Sequence, residues 1–129
     1  MTTAREKIGI GLALDAIGKP VDLNGVDWHV RHQNPSASPS EVQNETLEVP
    51  RFLVSEGYFR LGSMSDDERF VPWTHPLDHS MEKISHVYVK HYDDPERWMF
   101  VAWMQLTDKG DQLARAREER DIASYRTSR

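Results

Sequence analysis

The densest cluster of side chains able to bind a metal or move a proton is His75-Pro-Leu-Asp78-His79. Imidazole nitrogen and carboxylate oxygen together suit zinc or a non-haem metal. His75 and His79 are four apart, the spacing that puts two ligands on one helix face. Pro76 makes position 75 a poor helical one, and His86 or His91 would have to supply a third ligand. The simpler reading is a turn with Asp78 capping a helix, so no metal and no cofactor is expected. His29 and His32 are three apart. On the strand expected there they face opposite sides and share no ligand.

Other catalytic patterns are missing. The chain has no cysteine, which excludes disulfides, thiolate metal sites and cysteine nucleophiles. Gly-x-Ser-x-Gly is absent. Gly9-Ile-Gly11 lacks a third glycine and follows no strand, so it is no dinucleotide loop. Asp66-Asp67 and Asp93-Asp94 are adjacent acids, a turn signature more than a catalytic pair. No catalytic residue is assigned.

The totals bound the rest. A chain of 129 residues is one domain's worth, and a single domain over 1–129 is expected, with fraying at 124–129. No apolar run approaches the roughly 20 residues of a membrane span. Met1 to Lys7 lead into no long apolar stretch, which with the absent cysteines fits a cytoplasmic protein. The net charge is −5, against a general nucleic-acid coat but not against a local basic face. Residues 41–70 hold seven acids against three arginines, and residues 111–129 hold five arginines against four acids.

The elements that must position these groups are read from caps and periodicity. Thr3 to Glu6 is a capping-box pattern, and the apolar stripe Ile8, Leu12, Ile17 predicts a helix over 4–17, stopped by Gly18 and Pro20. Asn24-Gly25 is a turn dipeptide, and Val26, Trp28 and Val30 alternate with polar residues as in a half-buried strand. Residues 33–38 read as a loop. Ser38-Pro39-Ser40-Glu41 starts a second helix that Pro50 should break or kink, with a further turn ending at Gly57. The runs around Phe59 and Phe70 could pair as a hairpin or stay irregular. Leu77, Met81, Ile84, Tyr88 and Tyr92 favour a helix over 78–91, and a strand in "HVYVKHY" is the competing reading. Residues 98–106 read as a buried strand with Trp98, Phe100, Ala102, Met104 and Leu106 on one face. Thr107 then caps a last helix, with Asp108 and Asp111 in its first turn.

The run Asp94, Pro95, Glu96, Arg97, a strand, then Leu106, Thr107 and Gly110 with a polar helix resembles the wing and following helix of winged helix-turn-helix proteins of the MarR type. "VPRFLVSEGYFRLG" resembles the end of such a family's recognition helix, with Gly57 as its exit. The resemblance covers about 45 residues. It implies an α+β, winged-helix-like domain with an insertion near 64–92, ahead of the last strand, and a C-terminal helix. It implies a regulator that binds double-stranded DNA and pairs as a homodimer through that helix, with Arg51, Lys83, Lys90 and Arg97 touching phosphate or bases. The capped helix also carries Glu41, Glu45 and Glu48, which repel phosphate. They support a rival reading: an acidic module or inhibitor that engages a basic, nucleic-acid-binding protein, with Trp73 as an exposed anchor.

Overall fold

A computed structural model describes residues 3–127. Its elements run α1 (Ala4–Asp15), β1 (Val21–Asp22), α2 (Leu23–Gln33), α3 (Pro39–Ser55), β2 (Phe59–Met64), β3 (Phe70–Pro72), α4 (Leu77–Lys90), α5 (Pro95–Trp98), β4 (Trp103–Leu106) and α6 (Asp108–Thr127). The four strands form one antiparallel sheet in the order β1-β4-β2-β3. The chain is therefore a mixed α+β fold ending in a helix, with β3, α4 and α5 lying between the paired strands β2 and β4. None of the described helices is long and apolar enough to cross a membrane.

The local chemistry of each start is visible. Thr3 caps α1 by accepting from the Glu6 N–H. Ser38 and Glu41 close a full capping box on α3, with Pro39 at its first position. α3 ends in a Schellman arrangement: Tyr58 N–H donates to the Leu53 carbonyl and Gly57 N–H to the Val54 carbonyl. Gly57 sits at φ +80°, a conformation that strains any residue with a Cβ.

Several expectations are corrected. Residues 26–30 are helical, not a strand. Asp22 caps α2 by accepting from the Gly25 N–H, and Leu23, Val26, Asp27 and Val30 are buried at helical spacing. Asn24-Gly25 therefore lies in a first helical turn and not in a hairpin. Pro50 does not end α3. Val42, Thr46, Val49, Pro50 and Leu53 are all buried along one side, and that packing carries the helix past a residue with no N–H for the Thr46 carbonyl. The strand expected over 98–106 is confined to Trp103–Leu106. Before it, Pro95 opens the single turn α5, and Trp98 donates its indole N–H back to the Tyr92 carbonyl. Residues 93–97 thus lead from α4 into α5 and form its first residues, and are not a turn between strands. α1 ends at Asp15, two residues early. The 78–91 helix and the hairpin of β2 with β3 are present. α6 continues to Thr127; residues 128 and 129, part of the segment expected to fray, lie outside the described residues.

One core joins the layers. Phe59, Leu61, Met104 and Leu106 project from one sheet face toward Ile8 and Leu12 of α1, Val26 and Val30 of α2, and Val49 and Leu53 of α3. α4 adds Met81, Ile84 and Tyr88, and Trp98 joins them. The motif Leu106-Thr107-x-x-Gly110 is a joint in this core. Thr107 accepts from the Gly110 N–H and donates to the Gly57 carbonyl, while its own N–H bonds the Tyr58 carbonyl. A Cβ on Gly110 would lie 2.1 Å from the Tyr58 carbonyl oxygen. The spacing thus serves the seam between α6 and the turn from α3 to β2.

Candidate functional site

α3 and α4 lie side by side and form the most featured outer face of the molecule. The buried stripe of α3 leaves Ser40, Glu41, Asn44, Glu48, Phe52 and Ser55 exposed on its other side. α4 buries Met81, Ile84 and Tyr88 and exposes Glu82, Lys83, His86 and Lys90. Between them runs a groove of about 440 Å³ that includes Leu47, Glu48 and Arg51 from α3 and Met81, Glu82 and His86 from α4. The β2–β3 hairpin turns through Ser65 to Arg69, and Asp66, Asp67 and Glu68 are exposed there.

A buried polar cluster fixes α4 in this position. Asp27 of α2 is 1% exposed, accepts from the Tyr88 phenol at 2.6 Å and is bonded by Arg31 at 2.6 Å. Burial, and then the bond to Asp27, push the Tyr88 phenol far above its usual range, while Thr46 of α3 pulls it the other way. Tyr92 is raised for the same first reason, with Asp27 next. A carboxylate this deep is costly unless paired, and here a phenol and a guanidinium share it. The cluster ties α4 to α2.

Three of the four residues expected to touch DNA already have partners. Arg51 is 2.5 Å from Asp78. Lys83 lies over the Trp73 ring, 4.5 Å from its centroid. Arg97 pairs with Asp94 at 3.2 Å. Lys90 is exposed in the last turn of α4. Arg51, Lys83 and Lys90 share the α3–α4 face, whereas Arg97 belongs to α5.

The acids divide in the same way. Glu45 holds Arg5 of α1 through two bonds, at 2.9 and 2.8 Å. Glu41 is committed to the cap, and its bonds to the backbone and then the hydroxyl of Ser38 lower its pKa. Glu48 acts on Arg5 through space but, like Asp66 and Glu82, has no hydrogen bond or ion pair among the described residues. Asp67 is paired with Arg69. Among the described residues the carboxylates without such a partner therefore include Glu48 and Glu82 on the groove and Asp66 on the hairpin tip, along with others on α1, α5 and α6.

Trp73 is not the exposed anchor expected of it. It is half-buried, donates its indole N–H to Ser63 at 2.7 Å and carries Lys83 on its ring. The exposed Trp, Phe and Tyr side chains among the described residues are Trp28, Phe52, Phe100 and Tyr125. Trp28 stacks on His32, and Phe100 stacks on Trp103. Phe100 escapes the core because the strand begins only after it. His29, on the same helix as His32, turns away to Asp15 at 2.7 Å over the space left by Gly11. The His75 and His79 rings lie 4.9 Å apart, and no group of three or more His, Asp or Glu among the described residues could hold a metal ion. Sequence reasoning missed the groove and the role of Asp27. Asp22-x-x-Gly25 was the one local signal that could have shown α2 as a helix, with Asp27 on its buried side.

Comparison of the chain with protein-family models, with curated proteins and with solved structures gives no match.

Proposed function

We propose that this chain is a binding module of winged-helix type whose acidic α3–α4 face engages a basic, nucleic-acid-binding protein. One observation carries the reading. The parts that such a fold turns toward DNA, α3 and the β2–β3 hairpin, lie in a stretch with seven carboxylates and three arginines over 41–70. Glu48, Asp66 and Glu82 expose charge that has no hydrogen bond or ion pair among the described residues, whereas Arg51, Arg69 and Lys83 are held by Asp78, Asp67 and Trp73. Phosphate would meet a region where unpaired carboxylates outnumber the unpaired cations Arg60 and Lys90 among the described residues. A basic protein surface would meet its complement.

A DNA-binding regulator is the second reading, and the order of elements favours it. A helix, a short strand, two helices and a strand are followed, after β3, α4 and α5, by the strand that inserts between β1 and β2. That is the order in which a winged helix lays down its parts. On this reading α3 enters the major groove with Arg51 and Asn44 on its outer side, Lys83 and Lys90 approach phosphate, and Arg97 does so from α5. A homodimer through α6 is compatible with either reading, because residues 118–127 of that helix are exposed throughout. Sedimentation of the purified chain tests it, and a monomer at all concentrations removes it.

Charge reversal separates the two. Glu48→Lys, Asp66→Lys and Glu82→Lys combined leave every described hydrogen bond in place; Glu41 and Glu45 are spared because they cap α3 and hold Arg5. On the first reading the variant loses an arginine-rich peptide that the native chain binds. Native binding to duplex DNA that the reversal strengthens would replace it with the second.

A further inference from the structure

We propose that the groove between α3 and α4 is a receptor for an arginine side chain on a basic partner segment. This rests on the docking reading above and names the contact at its centre. The groove has two kinds of wall. Leu47, half-buried, offers apolar surface, and Met81, 3% exposed, lies beneath it as the floor. Glu48 and Glu82, on facing helices, line it with carboxylates that carry no hydrogen bond or ion pair among the described residues.

An arginine matches both. Its alkyl stem covers apolar surface while its head stays polar. Its planar guanidinium has five donors and can serve carboxylates from two sides at once, which a lysine ammonium does less well. Arg51 also lines the groove, but Asp78 neutralises it at 2.5 Å and keeps it from opposing a second cation. A volume of about 440 Å³ lies within the roughly 300–1,000 Å³ typical of small-ligand pockets. One wall of the site is anchored before binding, because the Tyr88–Asp27 bond holds α4 against α2.

The test is a heteronuclear NMR titration of the full chain with an end-capped Gly-Ala-Arg-Ala-Gly peptide at low salt. The same peptide with citrulline in place of arginine keeps the shape and removes the charge. Saturable shifts should centre on Leu47, Met81 and Ser85, and the citrulline peptide should give none. Glu48→Gln and Glu82→Gln are exposed, near-isosteric changes, and each should weaken binding about two- to five-fold, as for a half-exposed ion pair. Unchanged resonances elsewhere verify that each variant is folded. Shifts centred on residues 65–69, or affinity indifferent to both substitutions, would overturn the groove and leave the docking reading standing. No binding of this peptide or of a longer arginine-rich one would overturn both.

Discussion

The Tyr88 phenol of α4 donates to the Asp27 carboxylate of α2 across 2.6 Å, with the tyrosine 0% and the aspartate 1% exposed. The two residues are 61 apart in sequence, and their bond ties α4 to α2. Tyr88→Phe keeps the ring and removes the donor, taking from the buried Asp27 its 2.6 Å phenol partner. The variant should lose about 1.5–3 kcal/mol of unfolding free energy, the range for a hydrogen bond to a charged group. Urea denaturation measures it, and an unchanged midpoint would mean that the bond contributes nothing to the fold.

The same pair sets an alkaline limit. Burial and Asp27 raise the Tyr88 pKa, so the folded chain holds this proton more tightly than the unfolded chain. Stability from this source is complete below the unfolded tyrosine value of about 10 and is lost as pH rises above it toward the folded value. Urea midpoints should therefore fall as pH rises past about 10. The fall should be shallower in Tyr88→Phe, and not abolished, because Tyr92 is also raised. Equal slopes in the two proteins would remove Tyr88 as the cause.

Gly110 is a seam residue and not a flexible one. Gly110→Ala would put a methyl group 2.1 Å from the Tyr58 carbonyl oxygen and 2.9 Å from Leu106 Cδ2, so α6 must shift from β4 or the α3–β2 turn must move. A cost of about 1–3 kcal/mol is expected, as for overpacked cores. A thermal melt equal to that of the native chain would show that the seam gives way freely.

The sequence made some of this legible and not the rest, for reasons that particular residues show. Ser38-Pro39-x-Glu41 and Thr107-x-x-Gly110 are local devices whose hydrogen bonds close within a few residues, so α3 and the start of α6 could be read directly. The mixed α+β class is expected from the resemblance carried by residues 94–110 and the segment ending at Gly57. Residues 26–30 misled because Val26, Trp28 and Val30 fit a period of two as well as Leu23, Val26, Asp27 and Val30 fit a helix. The first pattern wastes Trp28 on solvent, and only the tertiary partner of Asp27 decides the matter. Residues 98–106 are uniformly apolar, so periodicity could not show that a helical turn gives way to a strand at Trp103. The acids of α3 were visible. That Glu41 is committed to Ser38 was local and legible, whereas the hold of Glu45 on Arg5 is tertiary and was not.

The most direct test offers the native chain a choice. A fluorescent arginine-rich peptide and a fluorescent random-sequence duplex are titrated in turn at low salt by anisotropy, and both titrations are repeated as salt rises. Our account predicts peptide binding that weakens with salt, since exposed charges carry it, and no duplex binding at any salt concentration. Duplex binding that falls steeply with salt, with the peptide left free, would contradict the docking reading and make this chain a DNA binder.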